Sequence, residues 1–553
     1  MSSSIRLQLV GCLLAVLYTV WRIVRSFVVK SPLDNIPGAE SDSWLMGNIA
    51  KLKHPKDSWT FQRSLVERYG RVFTFYGILN MKWLYTYDPR ALHSIYIKDQ
   101  DVFQESDVLT TSFGLFVGPA VIATLGEQHR KQRKMINPAF SVKHLREMNP
   151  IFNDVIRKLE IAIASRVKDG PKEIDILGWM GRTALELIGQ GGLGYSFDPL
   201  TEDKADEFAE SLKGFFPVEG QIPGIIHVSL PKLVRIGPAW FRRKVAEMVP
   251  RPFAQRMLRI SDIMHAQSVR IIKEKRAALE RGDEALKQQV GEGKDLMSVL
   301  LRGNMIASEE ERLSEEELIA QVSALVLAAM DTTSNALSRT LYQLAQYPEA
   351  QEKLREELKQ ARDDGAGGLR DLDYDEVMEL PYLDAVCRET LRRFNLAPIT
   401  DKRISVTKDA VLPLSAPIQG KDGSMIESIP VRKGMRVLTD LEASNCNKEL
   451  WGEDAYEWKP ERWLKPLPSA VDDAHIPGVY SHLMTFIGGS RSCVGFKFSQ
   501  LEMKLVLATL LPAFKFEVSK QTICWNAAGV CYPSVGEHLT KPAMPLIVTS
   551  LKA

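Results

Sequence analysis

Phe486-Ile-Gly-Gly489-Ser-Arg491-Ser-Cys493-Val-Gly495 joins a glycine-rich turn to the apolar, helix-patterned run FKFSQLEMKLVLATLL. An isolated cysteine is ordinarily a small buried hydrophobe. This one precedes a helix, where free amides and the positive end of the dipole favour the thiolate. The glycines let backbone approach a flat ligand closely, and Arg491 offers a cation to an acidic group. A lowered thiol pKa, amide donors to sulfur and a cation for a propionate are what a thiolate ligand to haem iron requires.

The rest of the composition narrows the field. The chain has 553 residues, 45% hydrophobic and 25% charged, with usage that excludes disordered, collagen-like and disulfide-scaffold proteins. Seventy-one basic against 69 acidic residues leave a net charge of +2, so no basic field exists to gather a nucleic-acid backbone. Six cysteines without a CxxC pair argue against both a disulfide framework and a zinc cluster. Length alone suggests several domains of roughly 150 residues each.

Other segments turn the ten-residue stretch into a family resemblance. The pattern F-x-x-G-x-R-x-C-x-G resembles the haem-binding signature of cytochromes P-450. Glu389-Thr-Leu-Arg392 resembles the family's E-x-x-R, two side chains sharing a helix face. Pro460-Glu-Arg462-Trp463 resembles its P-E-R-F/W element. Ala328-Ala-Met-Asp331-Thr332-Thr333 resembles the oxygen-activation motif, with Ala329 where glycine is commonest, in an apolar helix carrying Leu318, Val322, Leu325 and Ala329 on one face. His129 and Arg133 match a W-x-x-x-R helix with histidine in place of tryptophan; imidazole still donates a hydrogen bond.

The resemblance implies a mainly α (α+β) cytochrome P-450 fold, a helical body with small β-sheets, and one catalytic domain over residues 48–553 in place of several. It implies Cys493 as ligand to thiolate-bound haem b, with Phe486, Arg491, Gly495, His129, Arg133 and Arg403 holding the cofactor. Asp331 and Thr332 would be catalytic, delivering protons and steadying oxygen. Glu389, Arg392 and Arg462 would form a structural lock. The reaction would insert one oxygen atom into a lipophilic organic substrate, such as a terpenoid or other secondary metabolite, with electrons from a separate NADPH–cytochrome P-450 reductase. Lys497 and Lys504 are candidates to dock that flavoprotein. A non-oxygenating isomerase or dehydratase and a fatty-acyl hydroxylase remain alternatives. Substrate contacts are expected in Phe103–Val121, Ala324–Met330, Ala397–Thr400 and Thr522–Ala528. The signatures look most like those of fungal microsomal members.

At the other end, Leu7–Trp21 is an apolar run followed by Arg22, Arg25 and Lys30. Residues 1–30 read as a transmembrane anchor leaving the body cytosolic by the positive-inside rule, in the endoplasmic reticulum membrane by resemblance. Residues 31–47, rich in Pro, Gly and Ser, read as a stiff linker. Val72–Tyr76 and Lys82–Tyr87 predict a hairpin. Strands are expected near Arg403–Thr407, Arg432–Leu438 and Pro545–Ser550, and a surface loop at Gly365–Gly368. Gly189-Gln-Gly191-Gly192-Leu-Gly194 fits a dinucleotide fingerprint as a string, but it follows a helix-patterned stretch and so reads as a helix end.

Overall fold

A computed structural model describes residues 21, 31–201, 207–282, 290, 292–404, 409–536 and 541–551. Apart from residue 21, the expected anchor lies outside the described residues. Among those described, no helix is long and apolar enough to cross a membrane. The architecture is mainly helical with small sheets, as the fold class predicted.

One helix organises the body. Glu315–Gln346 starts at a capping box: the Ser314 hydroxyl accepts from the Glu317 N–H, and the Glu317 carboxylate accepts from the Ser314 N–H. Three glutamates in its first turn oppose the positive end of its dipole. It packs against helices Ile176–Leu187, Pro252–Arg281, Pro381–Arg393 and Phe496–Ala513. The last of these is buried on every side from Gln500 to Ala513. A helix enclosed on every side belongs in an interior, which explains the apolar weight of the run after Cys493.

The largest sheet runs in the order Val72–Tyr76, Lys82–Thr86, Arg436–Asp440, Ile399–Ile404, Phe103–Glu105. Only its second and third strands pair in parallel. The predicted hairpin is there, with its second strand ending at Thr86. Pro545–Ser550 is a strand as expected. One strand expectation needs correction. Arg432–Met435 is a turn because Gly434 takes a φ of 82°, and the strand begins at Arg436. Near Arg403–Thr407 a strand covers Ile399–Ile404, and residues 405–408 lie outside the described set.

The glycine string is structural. Ile188–Leu193 continues the Ile176–Leu187 helix as a π-helical turn, and Gly194 ends it in the left-handed region. A Cβ on Gly191 would lie 2.5 Å from the Phe152 ring, so the glycine serves close packing. Gly365–Gly368 is an exposed loop, as predicted. The segment 31–47 is docked on the sheet. Leu33 and Ile36 are each 1% exposed, a burial worth about 2 kcal/mol per side chain. Gly38 bridges Thr74, and the Asn35 carbonyl and side chain accept from the backbone of Lys421 and Asp422.

Candidate active site

The cysteine loop is built by backbone. Cys493 N–H donates to Phe486 O at 3.0 Å, which closes the loop between the two ends of the signature. Gly489 has a φ of 69°, and a Cβ there would strike Tyr96 O at 1.9 Å, so glycine lets the loop lie against the Ser94–Lys98 turn. The Phe486 ring packs between Tyr480 and Phe496. Gly495 is the residue from which the Phe496–Ala513 helix starts.

Cys493 is deeply placed, yet its surface is open. Sequence reasoning expected a lowered thiol pKa. In the protein alone burial pushes it up, opposed by the Gly495 N–H and the Arg133 charge. A coordinated metal overrides that balance, because a ligating thiol is deprotonated outright.

Two guanidinium groups converge on the same loop. Arg133, on helix Gly126–Ile136 one turn after the buried His129, donates to Ser492 O at 2.8 Å. Arg491 donates to Val121 O at 3.3 Å and Thr124 O at 2.6 Å. Neither is ion-paired to a carboxylate among the described residues, and burial pushes the pKa of both down. The backbone of Arg403 lies in the strand beside Phe103–Glu105, opposite Gln104; its side chain is outside the described set.

On the long helix, Leu325, Ala328, Ala329 and Thr332 form one face at i, i+3, i+4 and i+7. Ala328 is exposed and the other three are half-buried, although most of this helix is packed into the core. The Thr332 hydroxyl donates to Ala328 O at 2.6 Å. Asp331 points elsewhere. It shares a cavity of about 10 Å³, near the size of one water, with Lys213, Ser334 and Asn335. Burial pushes its pKa up to about 7, and the Lys213 charge is the opposing influence.

An open thiol, an open helix face and two half-buried cations not ion-paired among the described residues fit thiolate-ligated haem: a ligand for iron, room beside a ring, and two charges for two propionates.

The Cytochrome P450 family model matches residues 37–529. The chain belongs to the cytochrome P450 family. It is 50% identical to Cytochrome P450 monooxygenase 91 of Postia placenta, over 97% of each chain. It is 48% identical to a ganoderic acid synthetase of Ganoderma lucidum, again over 97% of each. A Hericium erinaceus cytochrome P450 monooxygenase is 33% identical over 93% of each. As a cytochrome P450 monooxygenase the chain is an oxidoreductase, and the family implies thiolate-ligated haem, a redox partner and a lipophilic substrate.

In this P450 the Glu389–Arg392 pair is fully buried. Arg392 also donates to the carbonyls of Asn445, Ala455 and Glu457, which ties helix Pro381–Arg393 to the chain that follows it. Arg462 reaches Glu389 at 3.5 Å but Asp454 at 3.1 Å, so Asp454 is a fourth member that sequence reasoning missed. Trp463 Nε1–H and the Lys459 N–H complete the shell of Glu389. Lys213 was also missed, since nothing in its local sequence marks it. Lys504 must be reassigned. It is buried, 2.8 Å from Asp384, and donates to Met378 O, so it staples two helices and is unavailable to a flavoprotein. Lys497, half-buried over the Phe496 ring, remains.

Proposed function

We propose that this P450 uses haem b to insert one oxygen atom from O2 into a lipophilic secondary metabolite, with a terpenoid as the favoured class. Electrons come from NADPH through a separate NADPH–cytochrome P-450 reductase. The observation that carries this reading is the open Cys493 thiol together with the open Ala328–Thr332 face inside an otherwise packed body. The ganoderic acid synthetase relative supports secondary metabolism.

When bound, haem supplies the oxidising chemistry, and the protein supplies position and protons. Cys493 would hold the iron, Arg133 and Arg491 the propionates, with His129 and Arg403 assigned beside them. The Thr332 hydroxyl, which donates to Ala328 O, would be the donor on the open helix face beside the bound group. Asp331, poised near neutrality beside Lys213 and a water-sized space, moves protons from the interior toward Thr332. Glu389, Arg392 and Arg462 keep the cysteine loop in register.

The membrane part of the reading rests on residues 1–30 as a single-pass anchor in the endoplasmic reticulum, with the body cytosolic. Exposed apolar side chains support a second contact with lipid: Ile225 on helix Gly224–Leu233, Trp240 and Phe241 on helix Ala239–Glu247, and Ile236 and Met248 in the turns that follow the two helices. Trp44, Leu45, Leu79 and Met81 lie nearby, since Gly224 abuts Met46 and the Leu79 N–H donates to Leu45 O. Large apolar side chains gathered at a surface mark interaction sites.

The decisive experiment is the reduced, carbon-monoxide-treated spectrum. A strongly red-shifted Soret band is expected, and it should vanish in Cys493→Ala. A histidine-type spectrum in the wild type would overturn the assignment.

A further inference from the structure

A second cavity, of about 160 Å³, lies between helix Ser58–Tyr69, the end of helix Pro381–Arg393 and strand Ile523–Asn526. None of the residues assigned to hold haem lines it, and Trp525 is its one wall residue from the stretches expected to contact substrate. Its walls carry three guanidinium groups: Arg63, Arg339 and Arg393. Arg393 is committed, paired with Glu442 at 3.1 Å and donating to Tyr456 O at 2.7 Å. Asp440 is committed too, accepting from the buried Tyr85 hydroxyl at 2.5 Å.

Arg339 is different. It makes no hydrogen bond or ion pair among the described residues, and its Nε is sealed from solvent without a partner. Its guanidinium carbon lies 3.4 Å from the centre of the Trp525 ring and 4.1 Å from that of Phe394. With two rings against the guanidinium and Nε sealed, the terminal Nη groups are the donors left for a ligand in the cavity that Arg339 lines. Burial and the neighbouring Arg393 charge push Arg339 down to about 9, opposed by the Cys531 thiol and by the Glu442 carboxylate, which is itself paired with Arg393.

We propose that this cavity binds a small organic carboxylate, held by the free edge of Arg339 with its body against Trp525. The fork of an arginine matches the two oxygens of a carboxylate. The space matches a ring-sized body, since a dry cavity of about 150 Å³ admits benzene. Aromatic walls favour such a body over a bare inorganic anion.

The probe is sodium benzoate, titrated calorimetrically into the haem-loaded full chain while the Soret band is followed. One saturable site is expected, with the Soret band unmoved and the affinity falling about tenfold or more in Arg339→Met. No saturable heat, or equal affinity in Arg339→Met, overturns the proposal. A benzoate-induced Soret shift also overturns it, because the ligand is then at the iron. Glu442→Gln provides a variant that does not depend on Arg339→Met folding. Removing the carboxylate that competes for the cavity's cations should tighten benzoate binding, and unchanged or weaker binding overturns the proposal.

Discussion

Asp331 is a carboxyl group kept where a carboxylate is costly, and its consequences are readable as pH dependence. Its folded-state pKa of about 7 lies above the ordinary value. Between about pH 4 and pH 7 the unfolded chain has released this proton while the folded protein keeps it. Stability therefore falls as pH rises through that window, and the penalty remains above it. Asp331→Asn removes the penalty. The melting temperature of the variant relative to wild type should rise from about pH 5 to about pH 8, and a constant difference would count against the assignment. The same substitution should lower product formed per NADPH consumed, because an amide holds the geometry but relays no proton. Thr332→Ala should also uncouple turnover, with no pH-dependent change in stability. The contrast separates the proton group from the hydroxyl that stands next to it.

At the scale of elements, the lock around Glu389 joins one helix to a long irregular segment. Removing Glu389 leaves Arg392 charged, buried and short of a partner, which costs about 3–5 kcal/mol. Glu389→Ala should therefore give little haem-loaded protein, measured as the red-shifted Soret band per milligram. Glu389→Gln keeps most acceptor geometry and should recover part of it. Short-range signals made this element legible: E-x-x-R lies within one helical turn, and Cys493 within one loop. What was illegible depended on long-range neighbours. Lys213 meets Asp331 only through tertiary packing, while Asp454 lies eight residues before Arg462 in an irregular segment with no periodicity to reveal the pairing. Lys504 was misread because its charge pattern looks like a surface, while its helix is enclosed on all sides. The glycines at 189–194 matched a phosphate-binding string because close packing and phosphate approach need the same missing side chain.

For the whole molecule, the apolar face on the helices Gly224–Leu233 and Ala239–Glu247 changes what truncation should do. Removal of residues 1–30 should make the protein extractable by alkaline carbonate. The truncated body should still float with phospholipid vesicles, and the pair Trp240→Glu and Phe241→Glu should abolish flotation; flotation that survives the pair would exclude this face as the contact. The Lys82–Asp34 ion pair places the start of the docked segment next to the exposed Met81, at the rim of that face. Because Leu33 and Ile36 are sunk into the sheet, chain preceding them departs from a fixed point instead of a slack leash. If the proposed anchor and apolar face both hold lipid, two attachments on one side would suppress pitch and roll and leave only yaw about the bilayer normal. Encounters with another membrane-held protein would then be a search in a plane with a single angular variable.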